Sequence, residues 1–251
     1  MALFTAPPAP VAAPTSAPIQ HVIAGDTRQS QGYNIQTRYA KKVFQLTDKV
    51  VLATNGFAAD GNNFYKRVKQ RLEWYEANHH KQMSIKSIAR MIQTMLYGRR
   101  FFPYYVYNIL GGIEEDGTGA VYSFDPVGSY EREACRAAGA AQSLIQPFLD
   151  NQIYFRNQTF PPGVPRPIPG NLPLGTVISI VLDSFTSATE RHIEVGDSLE
   201  MYIVMNKGRK TDDLLGGEFK LPEGVEINEV PPLGDGRGER TFLLVAPLKR
   251  D

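Results

Sequence analysis

Arg99–Tyr130 reads RRFFPYYVYNILGGIEEDGTGAVYSFDPVGSY, and the interpretation of this stretch decides the fold. Phe101, Phe102, Tyr104, Tyr105 and Tyr107 crowd around Pro103, and an apolar run follows from Val106 to Ile113. Asp116-Gly117 then turns the chain, and Ala120–Phe124 runs back. Aromatic and β-branched residues on both sides of an Asp-Gly turn are a strong local hairpin signal. The return strand ends at Asp125-Pro126, where proline removes a ladder donor. The hairpin is therefore expected at the centre of the molecule, buried on both faces, with other layers packed on it.

The segments around it fall into two periods. Before it come strand candidates at Ile19–Ala24, Tyr33–Thr37, Val43–Leu46 and Lys49–Thr54. Val50, Val51, Leu52 and Ala53 are apolar without alternation, as in a strand covered on both faces. Phe64, Val68, Leu72 and Tyr75 then share one stripe of a helix. Lys66, Arg67, Lys69 and Arg71 lie mostly off that stripe and read as its solvated face. A second helix takes Ser84 as its N-cap, Ile85, Ile88, Ala89, Ile92 and Leu96 as its buried stripe, and Gly98 as its C-terminal cap. After the hairpin, Gly139–Leu149 and Thr176–His192 read as helices, separated by a proline-rich loop over 159–175. Leu199–Met205 and Thr241–Ala246 read as strands, and 207–240 as a long surface loop. Strands buried on both faces need a layer on each side. Two stacked sheets with helices outside each, an α+β fold arranged as a four-layer αββα sandwich, is the economical solution.

Composition narrows the function classes. The 251 residues carry a formal net charge of +1, which makes no electrostatic case for nucleic acid or an anionic membrane. Cys135 is the only cysteine, so an intrachain disulfide is excluded. No apolar run approaches the roughly 18–20 residues of a membrane helix. Residues 1–18 are Ala/Pro-rich and are expected to form an extended, disordered or propeptide-like arm, followed by a single domain over 19–251. There is no phosphate loop or dinucleotide fingerprint, and no cofactor is expected. Glu114, Glu115 and Asp116 lack the alternating ligand spacing of a calcium loop and read as solvated hairpin-tip charges.

Several stretches together carry a resemblance. They are Gly25-Asp26-Thr27-Arg28, Asn55–Asp60 (NGFAAD), Arg99–Tyr105 (RRFFPYY), Ala120–Arg132 (AVYSFDPVGSYER), Leu149–Gln152 (LDNQ) and Ser187–Arg191 (SATER). In these the chain resembles the beta subunits of the eukaryotic 20S proteasome core particle, and in RRFFPYY and YSFDPVGSYER the type 1 subunit at the sixth ring position. The resemblance implies the N-terminal-nucleophile hydrolase fold. It also implies partners: other beta subunits of the same and the facing ring, and alpha-ring subunits. The implied location is the cytoplasm and nucleus.

The resemblance also implies a site. Active members use an N-terminal threonine as nucleophile, assisted by a lysine, an aspartate, an oxyanion-binding glycine, and a further serine and aspartate. Carried over by position, Asp26, Lys42 and Gly56 are retained. The nucleophile falls near Pro10, the supporting serine at Ala140, the second aspartate at His192 and its neighbouring serine at Val195. Thr5 and Thr15, the nearest threonines, do not follow the glycine that processing requires. The chain is thus expected to be a non-catalytic subunit with no catalytic or metal-binding residues. Asp26 and Lys42 would persist as an ion pair, and His192 reads as an ordinary helix-end histidine. Two competing readings are an active threonine hydrolase with a misplaced N-terminus and a free-standing binding module that reuses the fold. A further expectation follows from the first strand: only Ile19–Ala24 looks strand-like ahead of GDTR, so the strand that should precede it has no obvious sequence.

Overall fold

A computed structural model describes residues 2–4, 20–164, 166–170, 172–205, 220–234 and 240–251. The central hairpin is β7 (Val106–Ile113) and β8 (Gly119–Phe124), paired antiparallel. Its turn is wider than two residues. Glu114 donates its N–H to the Thr118 carbonyl at 2.7 Å, and Gly117 takes φ +86°. Asp116 accepts from both the backbone and hydroxyl of Thr118, which holds its carboxyl below the ordinary aspartate range. On one side β7 pairs with β6 (Val50–Gly56), which pairs with β5 (Val43–Gln45). On the other, β8 pairs with β9 (Tyr130–Glu133). Among the described residues these form one five-stranded antiparallel sheet, β5-β6-β7-β8-β9.

β9 was not legible as a strand because YERE is charged and half-exposed. The turn before it explains its position. Asp125 accepts from the N–H groups of Val127 and Ser129 at 3.0 and 2.8 Å, and Pro126 presets the bend. Gly128 sits at φ +93°, where a Cβ would lie 2.7 Å from the Gln93 carbonyl of the neighbouring helix.

A second sheet holds β10 (Cys135–Ala137), β1 (Ala2–Phe4), β2 (Gln20–Asp26), β11 (Ser198–Met205), β13 (Arg240–Pro247) and β12 (Glu226–Val230), in that order and antiparallel throughout. Two expectations change here. The strand before β2 exists: Ala2–Phe4 fill the place between β10 and β2. The segment read as a loop over 207–240 contains β12, while 206–219 and 235–239 lie outside the described residues. Both are short edge or near-edge strands whose pairing comes from a neighbour's backbone, too short or too polar for their own pattern to announce them. A separate hairpin, β3 (Gln29–Gln31) with β4 (Asn34–Thr37), projects after β2.

The helices are α1 (Ala58–His79), α2 (Ile85–Tyr97), α3 (Gln142–Gln152) and α4 (Leu174–Arg191). Ser84 caps α2 by accepting from the Ser87 N–H at 3.3 Å. Gly98 ends it in the right-handed conformation, so that position does not demand glycine through a left-handed turn. Lys66, Arg67 and Arg71 are exposed on α1, while Lys69 donates to the Leu46 carbonyl at 3.1 Å.

Alternation along the strands separates three buried clusters. Leu52, Val106 and Leu110 pack with Phe64, Val68, Ile88 and Ile92 of α1 and α2. The intervening residues Val51, Ala53, Ile109 and Val121 face the other way and meet Ile23, Tyr202 and Val204 of the six-stranded sheet. The remaining face of that sheet, Val22, Ala24, Met201 and Ile203, packs with Ile145 of α3 and Ile178, Val181 and Phe185 of α4. Gly111 of β7 marks a close approach of the two sheets, because a Cβ there would run into the imidazole of His21 on β2.

Candidate functional site

Asp26 closes β2, and the extended chain before β5 brings Lys42 to it. Lys42 Nζ lies 2.8 Å from Asp26 Oδ1, with the lysine partly exposed and the carboxylate buried. Asp26 Oδ2 accepts from the backbone N–H of Arg28 at 3.2 Å and of Gly196 at 3.3 Å. One carboxylate therefore ties the end of β2, the segment leading into β5 and the loop after α4.

The other sequence-predicted positions gather around this pair to different degrees. Thr54 of β6 donates to the Lys42 carbonyl at 3.0 Å, which sets the end of β6 beside the lysine. Gly56, two residues on, holds φ +102°, and a Cβ there would stand 2.5 Å from the Tyr105 carbonyl. Asn55 approaches Gly139, where a Cβ would be 2.8 Å from its Oδ1. That contact places exposed Ala140 at the same end of the sheets. His192 ends α4, and its Nδ1 accepts from the Glu194 N–H at 3.2 Å. Val195 is buried among apolar residues on the helix side, one residue from the Gly196 N–H that reaches Asp26. Pro10 lies outside the described residues.

The register of β1 sets how it lies between β2 and β10. Ala2 pairs with Ala24 and Ala137, and Phe4 with Val22 and Cys135. The N-terminal end of β1 is therefore directed towards Asp26 and Gly139, and the chain leaves β1 at the opposite end.

Reasoning from the sequence missed the strongest polar cluster next to this pair. Arg28 and Asp197 have side chains only 2% and 1% exposed, with Nε–Oδ2 at 2.9 Å and a second contact from Nη2 to Oδ1 at 3.2 Å. Arg28 also donates to the Ile193 carbonyl at 2.7 Å and to Asp251 Oδ1 at 3.2 Å, and Arg38 adds a second guanidinium to Asp197. Burial alone would push the Asp197 carboxyl up, but hydrogen bonds from Arg28 and Arg38 and their charges hold it below the ordinary aspartate range. The arginine stays charged for the complementary reason, since the Asp197 hydrogen bond outweighs the effect of burial. The signal available in the sequence was the arginine of GDTR and the closing KRD. Their partner is 169 residues away from Arg28, beyond any local pattern.

At the tip of the hairpin, Glu114 accepts from the Tyr122 hydroxyl at 2.8 Å and Asp116 caps its own turn, so two of the three acidic residues are committed to structure. Among the described residues, no three His, Cys, Asp or Glu side chains converge as metal ligands would. Cys135 is buried, and burial together with the charges of Asp150 and Glu133 pushes its thiol up to about 12.

Comparison with known proteins matches residues 20–160 to the family described as "Proteasome subunit". The chain is 58% identical to "Proteasome subunit beta type-6" of Saccharomyces cerevisiae over 192 residues, 74% of this chain and 79% of the relative. The chain belongs to the proteasome beta-subunit family. It is also 46% identical to "Proteasome subunit beta type-1" of Danio rerio, over 76% of this chain and 78% of the relative. The protein of the same name in Arabidopsis thaliana is 44% identical, over 76% and 85%.

Proposed function

We propose that this chain is a non-catalytic beta-type subunit of the proteasome core, retained for ring assembly and for walling the chamber in which proteins are degraded. In this reading the three buried clusters belong to a four-layer αββα sandwich of the N-terminal-nucleophile hydrolase type. The observation that carries it is the Asp26–Lys42 pair, at 2.8 Å, beside a sequence that has proline near position 10, where the resemblance puts the nucleophile. Alanine and valine replace the supporting serines at Ala140 and Val195. A lysine held by a carboxylate can tune a nucleophile only when one stands beside it. Without one, the pair is an ion pair that joins three chain segments. Neighbours in the same ring, the facing beta ring and an alpha ring are the partners of this reading, and cytoplasm and nucleus its location. Among the described residues, no helix is long and apolar enough to cross a membrane.

The test uses the tagged full chain in its own cells. Purification should recover it with other alpha and beta subunits, and recovery as a lone monomer would overturn the assembly reading. Treating the recovered particle with a threonine-directed epoxyketone should label other subunits and leave the intact mass of this chain unchanged. A mass increase on this chain would establish the alternative, an active hydrolase with a displaced N-terminus.

A further inference from the structure

The aromatic-arginine turn between α2 and β7 is not used by the fold it interrupts. Phe101, Phe102 and Tyr105 are 95%, 80% and 63% exposed, although bulky aromatic side chains supply most of the core and interface area in proteins. The turn is nevertheless rigidly built. Phe102 donates to the Arg99 carbonyl at 3.0 Å, Asp60 of α1 accepts from the Tyr105 N–H at 2.9 Å, and the Tyr105 carbonyl accepts from Phe57 at 2.9 Å. Tyr104 alone turns inward, packing at 5.5 Å on Phe64. Arg99 and Arg100 are exposed and lie over the rings of Tyr104 and Phe101, at 5.1 and 5.5 Å. Neither guanidinium forms an ion pair among the described residues.

We infer that this turn is a docking surface for a carboxylate-bearing, apolar segment of a neighbouring subunit in the same assembly, an inference that rests on the assembly reading above. The charge pattern decides the occupant. Two guanidiniums without carboxylate partners, held on aromatic faces, select an acidic chain through bidentate contacts, while the two phenylalanines supply apolar area. A nucleic acid would ask for a basic surface, and the chain as a whole carries a net charge of only +1. The pinned backbone means that little ordering remains to be done on binding, which is what a preorganised interface requires. The patch also adjoins the Asp26–Lys42 site through Gly56, Phe57 and Tyr105, so its occupant would sit beside the closed-down site.

The test places a photoreactive phenylalanine analogue at Phe101 in the tagged chain and irradiates the assembled particle. The expected product joins position 101 to a segment of another subunit that contains Asp or Glu. A product with a second copy of this chain, a product with a segment lacking carboxylates, or no product in a particle that contains the chain would each overturn the inference. Failure of the wild-type chain to enter any particle would instead overturn the assembly reading. In parallel, R99E/R100E should enter particles about tenfold less than a co-expressed wild-type copy, as expected for a reversed charge contact. Equal entry would overturn the inference. Matching melting curves of the two chains keep a folding defect from imitating the loss.

Discussion

Asp197 shows how a single carboxylate can hold the end of a fold. It is buried, it adopts φ +73°, and it faces the guanidiniums of Arg28 and Arg38. Removing it leaves Arg28 buried without its main partner, so D197A is expected to destabilise the chain by about 3–5 kcal/mol, measured by urea unfolding. The pH dependence has a defined sign. A carboxyl held below its unfolded value stabilises fully above that value, about 3.9 for aspartate, and loses the contribution as pH falls through the lower folded value. The urea midpoint should therefore hold between pH 7 and about 5 and decline below about 4, and the acid decline should be shallower in D197N. A midpoint that already falls between pH 7 and 6 would contradict this assignment. Cys135 makes a second residue-level prediction. With its thiol pushed up to about 12 and its side chain buried, it should resist a thiol-specific disulfide reagent at pH 8 in the folded chain and react fully in urea.

Glycines at two close approaches dominate the element scale. Gly111 lets β7 lie against His21 of β2, where the two sheets meet. A methyl group there forces the imidazole or the sheet to move, and G111A is expected to cost about 1–3 kcal/mol by overpacking. Gly128 combines φ +93° with a Cβ site 2.7 Å from a backbone carbonyl of α2. G128A should cost a similar amount, about 1–3 kcal/mol, through backbone strain and the clash together. Both are read from thermal melts, and an unchanged melting temperature in either would mean that the neighbouring element yields more easily than its packing suggests. The contrast with Gly98 is instructive. It ends α2, where a glycine is often needed for a left-handed turn, but its φ of −58° is open to any residue.

Asp26 and Lys42 matter at the scale of the whole molecule because their contacts join β2, the approach to β5 and the loop after α4. If their role is architectural, D26N should weaken the chain by about 1–3 kcal/mol, less than loss of Asp197 because Lys42 reaches solvent. Particles that incorporate D26N should keep their peptidase activity per particle while the yield of the variant in particles falls. A loss of activity per particle at normal yield would point to a catalytic part for the pair. The clusters on either side of the five-stranded sheet show that both faces of β7 carry buried packing residues.

The sequence by itself determined the long, strongly patterned elements. Leu110 and Ile109 are adjacent and both apolar, and that alone required a layer on each side of β7. The stripe of Ile85, Ile88, Ile92 and Leu96 likewise set the buried face of α2, and Ser84 its start. These features are local, because periodicity and capping act within a few residues. Tertiary structure decided the rest. Ala2–Phe4, Tyr130–Glu133 and Glu226–Val230 became strands because a neighbouring strand supplied hydrogen-bond partners, which no side-chain pattern of their own demanded. At the site, resemblance pointed to Asp26, Lys42 and Gly56, and Lys42 lies against Asp26. That Arg28 closes on Asp197 and Asp251 could not be read in this way, since those contacts exist only after chain segments far apart in sequence have been packed together.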